Sequence, residues 1–224
     1  MIQVLYVNSD HDNGQYIEES IKSATSFRKY LPDALFKLYT NTSEPIDEVF
    51  DEIEVVDFVI PKAIKNKIHK QGQMAVKLQA MLDSQYVYNL YLGCDTYAMH
   101  QNASSPFELL DDYDFALAHA PFQNKIHGIP DSFGEHNCDV IYWRNNHRTK
   151  RFIKEWKRIY EYGIIKTPHD QGVFRYLSYH TRARVNTLPY IYNNRCGKFG
   201  SQGLNCDDVQ DSVIIQNRNV IAEL

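Results

Sequence analysis

Short apolar runs alternate along the chain with longer segments whose apolar residues recur every three or four positions. Residues 2–8, "IQVLYVN", predict a first strand, and the polar stretch "SDHDNG" after it predicts a turn into a helix. Over 15–29, Tyr16, Ile17, Ile21, Ala24 and Phe27 share one helical face, and Pro32 ends that region. Residues 35–41 and 54–60 predict a second and a third strand, the latter closed by Pro61. Met74, Leu78, Met81 and Leu82 line one face of a helix predicted over 66–84, and 86–92 predicts the next strand. Strand and helix alternating in units of about 25 to 35 residues imply an α/β fold, a mainly parallel sheet with crossover helices. Ligands bind such sheets beyond the carboxyl ends of the strands, where Asn8 and Asp95 fall.

The second half is more mixed. Residues 107–122 predict a short helix and a strand, and 129–146 a loop leading into a strand at 139–143. Residues 148–163 form an amphipathic pattern with Phe152, Trp156, Ile159 and Tyr160 inward and basic residues outward, ended by Gly163. A further helix opens at Asp170, and "RVNTLPYIYNN" and "DSVIIQNR" predict late strands. No internal repeat or linker divides the 224 residues, so a single domain over 1–224 is expected.

Composition narrows the classes. A hydrophobic share of 43% with 23% charged residues fits a soluble globular protein, and a net charge of -4 gives no bulk attraction to nucleic acid or anionic membrane. "MIQVLYVNSD" has no basic leader or cleavage site, and no apolar run reaches spanning length, so a cytoplasmic location is expected. Cys94, Cys138, Cys196 and Cys206 have no metal-ligand spacing and read as reduced thiols. His11, His69, His100, His119, His127 and His147 include no HExxH pair, and GxGxxG, GxxxxGK[ST] and GxSxG are absent. This argues against a standard dinucleotide enzyme, a P-loop ATPase and an α/β-hydrolase. Trp143 and Trp156 read as core.

Four positions can carry chemistry. Asp95, after a buried strand, suits a hard cation such as Mn2+ or Mg2+, and equally suits a plain turn cap. Asp170 can remove a proton from an acceptor hydroxyl, and it can also cap its helix together with Thr167. Glu135, His136 and Asn137 offer donors and acceptors for sugar hydroxyls, or form an ordinary polar loop. Lys77 can neutralise a phosphate, or simply be solvated.

Taken in order, "YLGCDTY" (91–97), "FGEHNCDVIYW" (133–143), "HDQGVFRYL" (169–177) and "LPYIYNNR" (188–195) resemble the GT-A nucleotide-sugar glycosyltransferases, in particular small microbial and viral ones. Those enzymes carry Leu-Asp-x-Asp-Thr, Glu-x-Asn-x-Gly-Val, Asp-Gln and Leu-Pro-x-x-Tyr-Asn in the same order. The resemblance implies a Rossmann-like sheet whose first half (about 1–100) binds a nucleoside diphosphate and whose second half (about 101–224) builds the acceptor pocket. It implies transfer of a sugar from a UDP- or GDP-type donor to a hydroxyl acceptor such as a glycan. Asn8 then lies near the base or ribose, Lys77 near the phosphates, and Asp95 at the diphosphate and its metal. Asp170 becomes the candidate base, with Glu135 a second catalytic carboxylate. Asn137, Gln171 and Asn193 face sugar or acceptor, and Gln216 stands where related enzymes often place a metal-binding histidine.

Two departures accompany the likeness. Gly93 replaces the first aspartate of the Asp-x-Asp motif, and Asp139 replaces a glycine. Weak or dispensable metal binding follows, with Lys77 or Arg195 supplying charge instead. A non-catalytic sugar- or nucleotide-binding relative is the alternative that Gly93 supports. A sugar-nucleotide nucleotidyltransferase is a third reading, disfavoured because "VNSDHDNG" lacks a Gly-rich, Arg-containing loop.

Overall fold

The structure is a computed structural model, and it describes residues 1–9, 14–42, 46, 48–61, 69–121, 123–165, 167, 169–195 and 211–216. Strands β1 (Ile2–Val7), β2 (Leu35–Thr40), β3 (Glu52–Val55), β4 (Tyr88–Leu92), β6 (Phe115–Ala118), β7 (Val140–Arg144) and β8 (Val185–Leu188) form one sheet in the order β3-β2-β1-β4-β7-β6-β8. Every pairing is parallel except the two made by β7, which runs against β4 and β6. Strands β5 (Thr96–Ala98) and β9 (Ile214–Gln216) make a separate two-stranded antiparallel ribbon.

Alternation along the central strands builds two cores, as a doubly covered sheet requires. On one face Val4, Tyr6, Phe36, Leu38, Leu90, Leu92 and Tyr142 pack beneath α1 (Gln15–Arg28), which buries Ile17, Ala24 and Phe27, and α3 (Pro106–Leu109), which buries Phe107. On the other, Leu5, Val7, Tyr91, Phe115, Ile141 and Trp143 meet α2 (His69–Asp83), α4 (His147–Glu161) and α5 (Asp170–His180). Phe152, Trp156 and Phe174 interlock there edge to face, with centroids 5.0–6.2 Å apart.

Most boundaries fall where the pattern puts them. The third strand is displaced: Glu52–Val55 pairs with β2, Val56 adds a last N–H bond to the Thr40 carbonyl (2.7 Å), and 57–60 of the expected 54–60 run is not strand. "RVNTLPYIYNN" is a strand only to Leu188; Pro189, which has no N–H to donate, leads into a 3-10 turn over Tyr190–Asn193. The three-residue ribbon strand at 96–98 has no counterpart in the pattern. Gly163 follows α4 with φ of 58°, a left-handed stop. Expected features at 10–13, 66–68, 217–218, Cys196 and Cys206 lie outside the described residues. Among those described, Cys94 and Cys138 are buried and in no disulfide, and no helix is long and apolar enough to cross a membrane.

Candidate active site

A cavity of about 130 Å³ opens beyond the carboxyl ends of β1 and β4. Its lining includes Asn8 after β1, Lys77 and Gln73 on α2, Gly93 and Asp95 after β4, Asp139 before β7, Asp170 at the start of α5 and Gln216 on β9. Because β7 is reversed, its entry rather than its exit lies at this edge, so 137–139 face the turn after β4. The volume is below the roughly 300 Å³ at which ligand pockets begin, so by themselves these residues would make only the floor of a larger site.

Each residue is fixed by a local cause. Asn8 donates its backbone N–H to the Tyr39 carbonyl (2.9 Å) and its side-chain amide to Ser20 Oγ (2.5 Å), which ties the end of β1 to α1. After β4, Thr96 donates its N–H (3.2 Å) and hydroxyl (2.7 Å) to the Gly93 carbonyl, closing the tight turn that carries Asp95. Gly93 donates its own N–H to the Asp139 carbonyl at 2.7 Å, extending the β4–β7 ladder by one rung.

Lys77 and Asp170 form a buried ion pair, their side chains 4% and 5% exposed. The Lys77 ammonium also donates to the Cys138 carbonyl at 3.2 Å and lies 4.9 Å from the Tyr91 ring centroid. Burial works to lower its pKa, but the Asp170 charge leads a set of attractions that outweigh it and hold the ammonium above its ordinary value. Asp170 is the first residue of α5, not its cap; His169 holds the cap position without a side-chain bond. The Trp156 indole N–H donates to the Asp170 carbonyl at 2.8 Å, anchoring α5 to α4.

Asp95 and Gln216 meet as well. Gln216 Nε2 donates to Asp95 Oδ1 (3.1 Å) and to Asp139 Oδ2 (2.6 Å), while its Oε1 accepts from Asn137 Nδ2 (3.4 Å). Asn137 Oδ1 in turn accepts the Asp139 N–H at 2.7 Å. Asn137 thus supports the cavity from beneath and does not line it. Asp139, which in sequence shows only as a departure from glycine, is the site residue the sequence reading missed.

The remaining candidates sit apart from the cavity. Glu135 accepts the Asn124 N–H (2.8 Å), the Asn124 side-chain amide (2.6 Å) and the Gln171 side-chain amide, so both its oxygens hold neighbouring chain. Asn193 is buried, and neither of its amide atoms has a hydrogen-bond partner among the described residues. Arg195 does not line the cavity. A separate groove of about 1040 Å³, lined by Arg148, Arg151, Lys154, Arg158 and Arg182 among others, holds none of the candidate residues.

No protein-family profile matches the sequence, and no curated protein matches it. Solved structures do match in shape. The galactosyltransferase LgtC, in complex with donor and acceptor sugar analogues, superposes with a TM-score of 0.66 at 12% identity over 96% of this chain and 87% of LgtC. Mouse xyloside xylosyltransferase 1 gives 0.60 at 11% identity over 97% and 98%. A glycosyltransferase involved in glycosylation of the major capsid of PBCV-1 gives 0.60 at 12% identity over 97% and 92%. At these identities the likeness establishes the fold, which is that of the GT-A glycosyltransferases.

Proposed function

We propose that this chain, built on the GT-A fold, transfers a sugar from a UDP- or GDP-type donor to a hydroxyl acceptor such as a glycan. The observation that carries the reading is the convergence of Asp95, Lys77, Asp170 and Gln216 on one cavity at the carboxyl edge of the sheet. Structures with the same fold belong to glycosyltransferases, and one of them was solved with donor and acceptor sugar analogues. Glycosyl transfer breaks the bond from the anomeric carbon to the diphosphate and forms one to the acceptor oxygen, whose proton must go to a base. Leaving-group charge must be stabilised as the first bond breaks.

In this reading Asn8 lies towards the nucleoside and Asp95 towards the diphosphate. The Asp95 carboxylate is a hard oxygen donor of the kind Mn2+ or Mg2+ takes, and the Gln216 amide, whose nitrogen faces that carboxylate, would have to turn to offer its oxygen. Bound by Asp95 and Gln216, such an ion would supply positive charge to the diphosphate. Lys77 adds a fixed positive charge on the same floor and pairs with Asp170, the candidate base for the acceptor proton. Gln171 then lies towards sugar or acceptor, with Glu135 a positioning carboxylate for it, and Asn137 acts through its bonds to Gln216 and Asp139. The missing carboxylate at Gly93 favours a second reading, a sugar- or nucleotide-binding protein without catalysis.

Calorimetric titration of UDP and GDP, with Mn2+ and again with EDTA, separates these possibilities when joined to an assay for sugar release from the matching donor. Binding of one nucleotide together with turnover supports the transferase. Binding without turnover on any donor of that base supports the non-catalytic relative, and no binding of either nucleotide overturns both.

A further inference from the structure

Gly93 cannot be replaced by a larger residue without meeting Asp139. A Cβ built on it would stand 3.3 Å from Asp139 Cβ, 3.5 Å from Asp95 Oδ1 and 3.7 Å from Asp139 Cγ. A carboxylate at position 93 would therefore begin in tight contact with Asp139, whose side chain would have to give by a few tenths of an ångström. The backbone holds the two positions together, through the Gly93 N–H on the Asp139 carbonyl and the pairing of Leu92 with Val140 one step inward. Both departures from the expected motifs, a glycine for an aspartate and an aspartate for a glycine, thus occur at one contact.

The Asp139 carboxylate points to the same place as that of Asp95. A single amide nitrogen, Gln216 Nε2, lies between Asp95 Oδ1 at 3.1 Å and Asp139 Oδ2 at 2.6 Å. Gln216 is only 1% exposed and Asp95 is buried, while Asp139 is partly exposed. Two carboxylates that converge on one point suit a divalent ion, which takes hard oxygen donors. An ion at that position needs the Gln216 amide turned, so that its oxygen leaves Asn137 Nδ2 (3.4 Å) and faces the two carboxylates.

We infer that Asp139 replaces the carboxylate missing at Gly93, so that Asp95 and Asp139, from the facing ends of β4 and β7, are the carboxylate pair for a divalent cation, with Gln216 as third donor. The inference rests on the transferase reading for the identity of the nucleotide, but it concerns the ligand set alone.

The test is Mn2+ binding followed by electron paramagnetic resonance, in the presence of UDP or GDP, for the wild-type chain, D139N, D139G and the exchange variant G93D/D139G. Nucleotide binding in EDTA is measured in parallel, and thermal melting checks each variant's fold. D139N, which keeps the shape and loses the charge, should weaken Mn2+ binding by at least ~10-fold, as should D139G. G93D/D139G should recover binding to within ~3-fold of wild type, because the carboxylate returns from the other strand. Mn2+ binding unchanged in D139N, an exchange variant that folds without recovering it, or a wild-type chain that binds no Mn2+ would each overturn the inference. In that last case, nucleotide binding in EDTA with turnover leaves the transferase reading standing. Conversely, Mn2+ binding lost in D139N and recovered in G93D/D139G, with no turnover, supports the ligand set and removes the enzyme.

Discussion

Lys77 and Asp170 show how a residue read as a phosphate ligand and one read as a base constrain each other. Each charge is buried, and each is tolerable because the other is there. Lys77→Met keeps most of the stem's packing and strands the Asp170 carboxylate, so urea unfolding should report a loss of about 3–5 kcal/mol. The double variant K77M/D170L should recover much of that loss while abolishing turnover, because both charges go together. His136 makes a second prediction. Burial, with a smaller contribution from His119, whose ring stacks on it at 5.3 Å, lowers its pKa from 6.5 to about 4. Between those values the unfolded chain binds a proton that the folded chain refuses, so acid favours unfolding. Stability is complete above about pH 6.5 and falls as pH drops towards 4, by about 3 kcal/mol in all. His136→Gln should flatten that part of the profile in urea titrations taken between pH 7.5 and 4; an unchanged slope would assign the acid sensitivity elsewhere.

Among the elements, α4 was the most legible in sequence, and the reason is physical. Its apolar face repeats over four turns, and Phe152, Trp156, Ile159 and Tyr160 are all buried as the spacing requires. Its first turn is set by Asn146, whose side chain accepts the Arg148 and Thr149 N–H groups while Thr149 Oγ1 accepts the Asn146 N–H. The same amide donates to Asp114 Oδ1 at 3.1 Å, joining the helix start to the strand β6 that follows Asp114. Asn146→Ala should therefore cost about 1–2 kcal/mol in urea unfolding, at the upper end for a lost cap, whereas Asn146→Asp should cost less. The third strand and the ribbon were less legible. Val55 to Ile60 is as apolar as a strand, yet its bonding to β2 ends with the Val56 N–H on the Thr40 carbonyl, because pairing depends on how far β2 extends beside it. Thr96–Ala98 and Ile214–Gln216 lie far apart in sequence and are too short to set a period, so their union, which brings Gln216 to Asp95, left no local signal.

Across the whole molecule the candidate site is a product of topology, which explains what the sequence could and could not disclose. Asn8, Asp95 and Asp170 were legible because strand ends and helix starts leave marks in the pattern. The role of Asp139 was not, because apolar periodicity carries no direction: had β7 run parallel to β4, its entry would lie at the opposite edge of the sheet. Residues from β1, α2, β4, β7, α5 and β9 meet at or beside one cavity although they span positions 7 to 216. A nucleotide bound there would bridge elements that must separate when the chain unfolds, and binding only to the folded state stabilises by mass action. At a nucleotide concentration 100 times its Kd with saturating Mn2+, the gain is about 2.7 kcal/mol. For a chain of this length it should raise the melting temperature by roughly 5–10 °C. The shift should move the entire transition and should grow with the logarithm of nucleotide concentration. Asp95→Asn should cut it sharply, while the distant groove variant Arg182→Ala should leave it intact. A nucleotide that saturates the protein by calorimetry yet fails to move the main transition would be bound to a segment that unfolds by itself, and the cavity between β1 and β4 would lose its claim to be the donor site.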